Sequence, residues 1–149
     1  MDGVECLRSF LGDLVDPSFL HGILLEAEEL ASNLILLHFD FRCARGLVKE
    51  IAVAVLYTPK TVVRATAEVV LGPEVEARDF ILRAYPSLIN MGCGVDVTSG
   101  GIRVYRVYSC RGSLDRSFTR VVSEILSVFN ESCEVSFGGS YSLETLTPP

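Results

Sequence analysis

The chain contains no glutamine, only three asparagines, and two lysines against 11 arginines. So few amides fit a thermophilic source, although the lysine enrichment common in such proteins is missing. Long apolar runs are also absent. The longest clean one, residues 51–57, is far shorter than the roughly 20 residues a bilayer demands. The first residues carry Asp2 and Glu5 and no basic cluster, so no signal peptide is expected and a cytoplasmic location is. No basic run occurs either. The net charge of −6 and pI near 4.9 argue against nucleic acid, because phosphate binding needs a basic surface.

The five cysteines, Cys6, Cys43, Cys93, Cys110 and Cys133, form no CxxC pair, and neither histidine stands at ligand spacing to one. No metal or cofactor is expected, and the cysteines read as small buried hydrophobes. A hyperthermophilic source would leave one intracellular disulfide open. Cys93 and Cys110, which flank the last hairpin, are then the first candidate pair.

What is present is apolar. Hydrophobic residues make up 49% of the 149 and the mean hydropathy is +0.38. That length is one domain with a sizeable core. The apolar surplus, with no membrane span to absorb it, points to a subunit interface and so to a homodimer. Residues 1–137 are expected to form a single α+β domain. Residues 138–149, after Gly138-Gly139 and ending in Pro148-Pro149, are expected to be a flexible tail.

Three strands in a row dominate the middle of the chain. In residues 34–43, Ile35, Leu37, Phe39, Phe41 and Cys43 share one face, and His38, Asp40 and Arg42 fall on the other. Gly46 closes a short loop. Residues 47–57 follow with Ile51, Val53, Val55 and Tyr57 on one face. Pro59 marks the next turn. Residues 62–71 put Arg64, Thr66 and Glu68 opposite Val63, Ala65, Ala67, Val69 and Leu71. The small residues on the inward faces call for a helix against them.

Helices are expected on both sides of this meander. Residues 5–15 and 18–32 carry helical apolar spacing, and Asp16-Pro17 between them is an N-cap followed by a first-turn proline. Glu26, Glu28 and Glu29 read as a solvated face. Glu74 and Glu76 open a third helix whose apolar set is Val75, Ala77, Phe80, Ile81, Ala84, Tyr85 and Leu88, with Pro86 breaking it near Ala84. Residues 95–98 and 102–110 form a hairpin around Ser99-Gly100-Gly101. Apolar residues on both faces of its second strand imply that both are partly covered. Ser113 is an N-cap candidate, with Asp115 in the first turn. Leu114, Phe118, Val121, Val122, Ile125, Leu126 and Phe129 then make the clearest amphipathic helix. Burying those seven side chains contributes on the order of 10 kcal/mol before entropy. Residues 133–137 read as a short strand.

The order α–βββ–α–ββ–α on a small acidic chain resembles the type III secretion chaperone-like fold. Within it, the closer likeness is to the YbjN-type proteins of the bacterial sensory transduction regulator group. The likeness spans about residues 20–129. It is carried best by Gly94-Val95-Asp96-Val97, the strand Ile102-Arg103-Val104-Tyr105-Arg106-Val107-Tyr108 and the helix over 113–130. The segment from Cys133 onward is not needed by that pattern. The resemblance implies a non-enzymatic dimer that binds proteins on exposed apolar grooves and strand edges.

Candidate chemistry is sparse. His38 and Asp40 on one strand face could form an acid–base pair, or simply be surface neighbours. His21 reads as a surface or interface residue. Gly92-Cys93-Gly94 lies between a helix and a hairpin, the wrong context for a phosphate cradle. Cys93 could be a reactive thiol, but no histidine is near it in sequence. Arg103, Tyr105, Arg106 and Tyr108 alternate on one strand and are residue types favoured at binding hot spots. With Phe80 and Tyr85 they form the candidate partner-contact set. The reading is a protein-binding, chaperone-like module without catalytic residues. The alternative is a small-molecule-binding or minor enzymatic domain with its pocket between sheet and helices.

Overall fold

The computed structural model describes residues 3–12, 14–58, 64–109 and 118–146. Along them run α1 (Gly3–Leu11), α2 (Pro17–Glu29), β1 (Leu34–His38), β2 (Asp40–Cys43), β3 (Val48–Leu56) and β4 (Arg64–Leu71). Then come α3 (Ala77–Arg83), α4 (Tyr85–Asn90), β5 (Gly94–Thr98), β6 (Gly101–Ser109), α5 (Phe118–Ser127), β7 (Cys133–Ser136) and β8 (Tyr141–Glu144). The class is α+β. Val62, Val63, Cys110, Ser113, Leu114 and Asp115, assigned above to strand and helix ends, lie outside the described residues.

Six strands form one antiparallel sheet in the order β5-β6-β4-β3-β1-β8, and β2 pairs with β7 in a second, two-stranded sheet. The strand expected over 34–43 is therefore bent at Phe39 and serves both sheets. Ile35, Leu37 and Phe39 are all buried, so the alternation runs through the bend unbroken.

Local signals set the helix boundaries. The Asp16 carboxylate accepts from the Ser18 N–H at 2.8 Å and the Phe19 N–H at 3.4 Å, with Pro17 in the first turn of α2. α2 stops short of Ser32 because Ala31 takes φ 52°. The Ser32 N–H then bonds the Ala27 carbonyl, and that of Ala31 bonds the Glu28 carbonyl. The end of α5 repeats the device at Asn130, φ 51°, with Glu131 N–H on Leu126 and Asn130 N–H on Ser127. Each closure delivers a buried polar residue, Ser32 or Glu131, to the start of a strand. Pro86 splits the third expected helix at Ala84 into α3 and α4.

One core cluster takes buried side chains from all five helices. From the six-stranded sheet it takes those of a single face, among them Ile35, Val53, Val55, Ala67, Val69, Ile102 and Val104. Seven rings cross this layer in file: Tyr108, Phe10, Phe118, Phe39, Phe137, Phe19 and Tyr141. Successive centroids are 4.6 to 6.1 Å apart.

Two expectations are corrected. The cysteines are not merely small hydrophobes: Cys43 and Cys133, opposite each other on β2 and β7, are disulfide-bonded with Cα atoms 4.1 Å apart. The Ala44 N–H donates to the Ser132 carbonyl, which makes the next pair, Cys43 and Cys133, a non-hydrogen-bonded one, where strands approach most closely. Cys6 is disulfide-bonded as well. Cys93 is a buried free thiol, so the suggested Cys93–Cys110 pair does not form.

The second correction concerns the tail expected over 138–149. Tyr141–Glu144 is β8, paired antiparallel with β1. Asn33 grips the chain just beyond, donating to the Leu146 carbonyl at 3.2 Å and accepting from its N–H at 2.6 Å. Four residues after a glycine pair are too few for alternation to reveal a strand.

The Tyr141 phenol donates to Glu26 Oε2 at 2.6 Å and so ties β8 to α2. That hydrogen bond, then burial and the Glu26 charge, raise the tyrosine pKa above its ordinary value. The native state thus holds this proton more tightly than the unfolded chain. The associated stability is complete below about pH 10 and falls as pH rises through the raised native value. Tyr141→Phe is expected to remove one phenol from the high-pH end of the absorbance titration near 295 nm. The stability difference between variant and wild type should shrink above pH 10. A phenol lost instead from the ordinary range near pH 10 would show that the bond is not made.

Candidate protein-contact surfaces

The second face of the large sheet can be read row by row from the strand register. Leu34, Leu56 and Arg64 stand in one row, then Leu36, Ala54, Thr66 and Val107. His38, Ala52, Glu68 and Tyr105 follow, with Gly94 at the edge, and then Glu50, Val70, Arg103 and Asp96. None of these side chains belongs to the core cluster, and no described helix covers them. Leu56 and Val107 remain 44% and 48% exposed, respectively, although they sit within a sheet.

This face has a low middle and raised flanks. Ala52, Ala54 and Thr66 form the floor, between leucines on β1 and β3 and the Tyr105–Val107 side. Tyr105 is held flat: its ring lies over Gly94, where any Cβ would collide with it, and the Arg103 guanidinium stacks 4.2 Å from its centroid. Arg103 also donates from Nε to Glu68 and from Nη1 to Asp96 Oδ2 at 3.1 Å. The His38 imidazole lies 3.7 Å from Glu50. The face thus carries Arg64 and Arg103 against Glu50, Glu68, Asp96 and, opposite Leu34 at the β8 edge, Glu144.

A second apolar surface lies on α3 and α4. Phe80, Ala84 and Leu88 face the core, and the neighbouring row Ile81, Tyr85 and Ile89 faces solvent together with Leu82, which is 70% exposed. The chain then passes through Gly92, at φ 83°, into β5. β5 has one hydrogen-bonded neighbour, β6, so its other edge is open among the described strands.

The candidate contact residues separate accordingly. Arg103 and Tyr105 lie on the uncovered sheet face, and Tyr85 is exposed on α4. Phe80 is buried and stacked on Phe129 at 5.3 Å, and Tyr108 is buried in the aromatic file, so both are core side chains with no surface to offer a partner. Arg106 turns to the helix side, 3.9 Å from Glu124 of α5. The sequence reading missed Leu82 and Ile89, whose exposure follows from the phase of the split helix.

The chemical candidates are scattered. His38 faces Glu50, and the Asp40 carboxylate lies against Gly138. Burial pushes the Cys93 thiol up, with Arg106 opposing and Glu124 adding, which disfavours the reactive thiolate. A cleft of about 850 Å³ opens between α3, the Arg45 loop and the end of α5. Its three arginines, Arg45, Arg78 and Arg83, meet three carboxylates, Glu74, Glu76 and Asp79. Arg45 Nη1 is already committed to the Phe129 carbonyl at 2.7 Å, and Arg83 to Asp79. Behind it, the buried Glu131 carboxylate accepts from the backbone of Arg45, Leu47 and Ser132, a structural clamp on the β2–β3 loop.

No helix among the described residues is long and apolar enough to cross a membrane, and no group of side chains there could hold a metal ion. No protein-family model, no curated protein and no solved structure matches this chain.

Proposed function

We propose that this chain is a non-enzymatic, chaperone-like protein-binding module that acts as a homodimer. The observation that carries the reading is the exposed apolar row on α3 and α4 beside the open edge of β5. An extended client segment could add to that edge through its backbone while its apolar side chains rest on Ile81, Leu82, Tyr85 and Ile89. The element order, which resembles the type III secretion chaperone-like fold and the YbjN-type proteins, supports the same reading. Cytoplasmic residence is part of the proposal. The disulfides suit that compartment only in a hyperthermophile, which agrees with a glutamine-free sequence.

The test is suppression of aggregation of a chemically denatured client enzyme, followed by light scattering. Equimolar wild type is expected to suppress it. The double variant Leu82→Glu/Ile89→Glu, altered only at exposed positions, should lose at least five-fold in potency while its circular dichroism is unchanged. A wild type without effect, or a variant equally potent, would refute this assignment.

A further inference from the structure

We infer that the client segment taken by the edge of β5 is an alternating strand of the pattern apolar–cationic–apolar, with its cation seated opposite Asp96. The inference rests on the client-binding reading above and names the class of client.

The backbone selects an extended occupant. In an antiparallel sheet the N–H and C=O of one residue point to one neighbouring strand and those of the next residue to the other. The Phe39 N–H bonds the Ile51 carbonyl at 3.0 Å and the Tyr57 N–H bonds the Asn33 carbonyl at 2.9 Å, so the core-facing residues of β3 bond towards β1. Carried through the register of β4 and β6, this alternation leaves the N–H and C=O of Val95 and Val97 aimed at the open edge. A helical segment, its own backbone bonded internally, has nothing to offer those groups.

The side chains select the alternation. Val95 and Val97 pair with Val104 and Ile102 on the helix side of the sheet, where α4 packs against β5 and Val97 is 48% exposed. An added strand sets an apolar side chain beside them at every second residue. Asp96 projects from the other face between them, its side chain 55% exposed, and shares the Arg103 guanidinium with Glu68. Two carboxylates on one guanidinium leave a negative charge at the edge. A lysine or arginine directly opposite offsets it.

The same residue turns a second copy away from this edge. Two β5 strands paired antiparallel through Val95 and Val97 set Asp96 against Asp96, in a chain that already carries −6. Asp96 therefore guards the edge against self-pairing and selects a cationic client.

Fluorescence anisotropy with labelled synthetic decapeptides tests the assignment. The reference peptide alternates valine with threonine and carries one lysine at a central threonine position. Wild type is expected to bind it about five-fold more tightly than the same peptide with a central glutamate. The same residues reordered to helical spacing should bind about ten-fold more weakly than the reference. Asp96→Asn, a change at an exposed side chain that should leave circular dichroism unaltered, is expected to narrow the lysine-to-glutamate ratio to about two-fold or less. N-methylation of alternate peptide amides should abolish binding for one of the two sets and spare it for the other. A wild type that binds none of the peptides, binds the lysine and glutamate forms alike, or treats both methylated sets alike overturns this inference. The aggregation assay on the same preparation then decides separately whether the binding module stands.

Discussion

Replacing both bridging cysteines, as Cys43→Ser/Cys133→Ser, is expected to lower stability by about 4 kcal/mol. The bond closes a sequence separation of 90 residues, and loop-closure entropy makes a link of that length valuable to the native state. The site adds to the effect. β2 and β7 are four residues each and form an isolated two-stranded sheet, which is marginal without a staple. Phe41 and Val135, paired in the same ladder and packed on the core, loosen when the strands part. Denaturant unfolding of the double variant beside wild type measures the change. A loss under 1 kcal/mol would mean that the ladder holds without its sulfur bridge.

Phe39→Ala should cost 3–5 kcal/mol, the range for a large aromatic removed from a packed interior. Phe39 is the central ring of the seven, 4.6 Å from Phe118 and 5.5 Å from Phe137. It also occupies the bend where one strand passes from the large sheet to the small one, its N–H bonded to the Ile51 carbonyl. The cavity cannot collapse easily, because β3, α5 and the β7–β8 segment approach it from three sides. Phe39→Leu keeps most of the volume and should cost about 1.5 kcal/mol or less. Thermal melts of the two variants check both numbers. Equal costs would show that the site requires the aromatic ring itself rather than its bulk.

The sequence made the covered face of the sheet legible residue by residue, because strand side chains alternate strictly. Ile35, Leu37, Val53, Val55, Ala65, Ala67 and Val69 are all buried where alternation puts them. Arg64 is exposed and Thr66 and Glu68 are half-buried opposite, as read. Asp16-Pro17 and Pro86 act through their own backbone chemistry and needed no tertiary context. The rest depended on apposition. The disulfide follows from β2 meeting β7, a pairing that no local pattern encodes. On α3 and α4 two adjacent apolar rows exist, 80/84/88 and 81/85/89, and periodicity cannot say which meets the sheet. The candidate contact set was misjudged in part for that reason: Phe80 occupies the inner row and Tyr85 the outer. Along β6, apolar residues on both sides were taken to mean partial cover on both. Arg103, Tyr105 and Val107 instead belong to the face without described cover.

The strand order carries a consequence for biosynthesis. β1 lies between β3, made soon after it, and β8, whose last residue follows the end of β1 by more than 100 positions. At translation rates of about 5–20 residues per second, that interval is roughly 5–20 s. Throughout it the nascent chain carries β1 with one flank of backbone donors and acceptors unsatisfied, along with the half-formed aromatic file awaiting Phe137 and Tyr141. Of the six strands, the last to be made is therefore the one that covers β1. Truncations there should be felt as aggregation during expression before they are felt as lost activity.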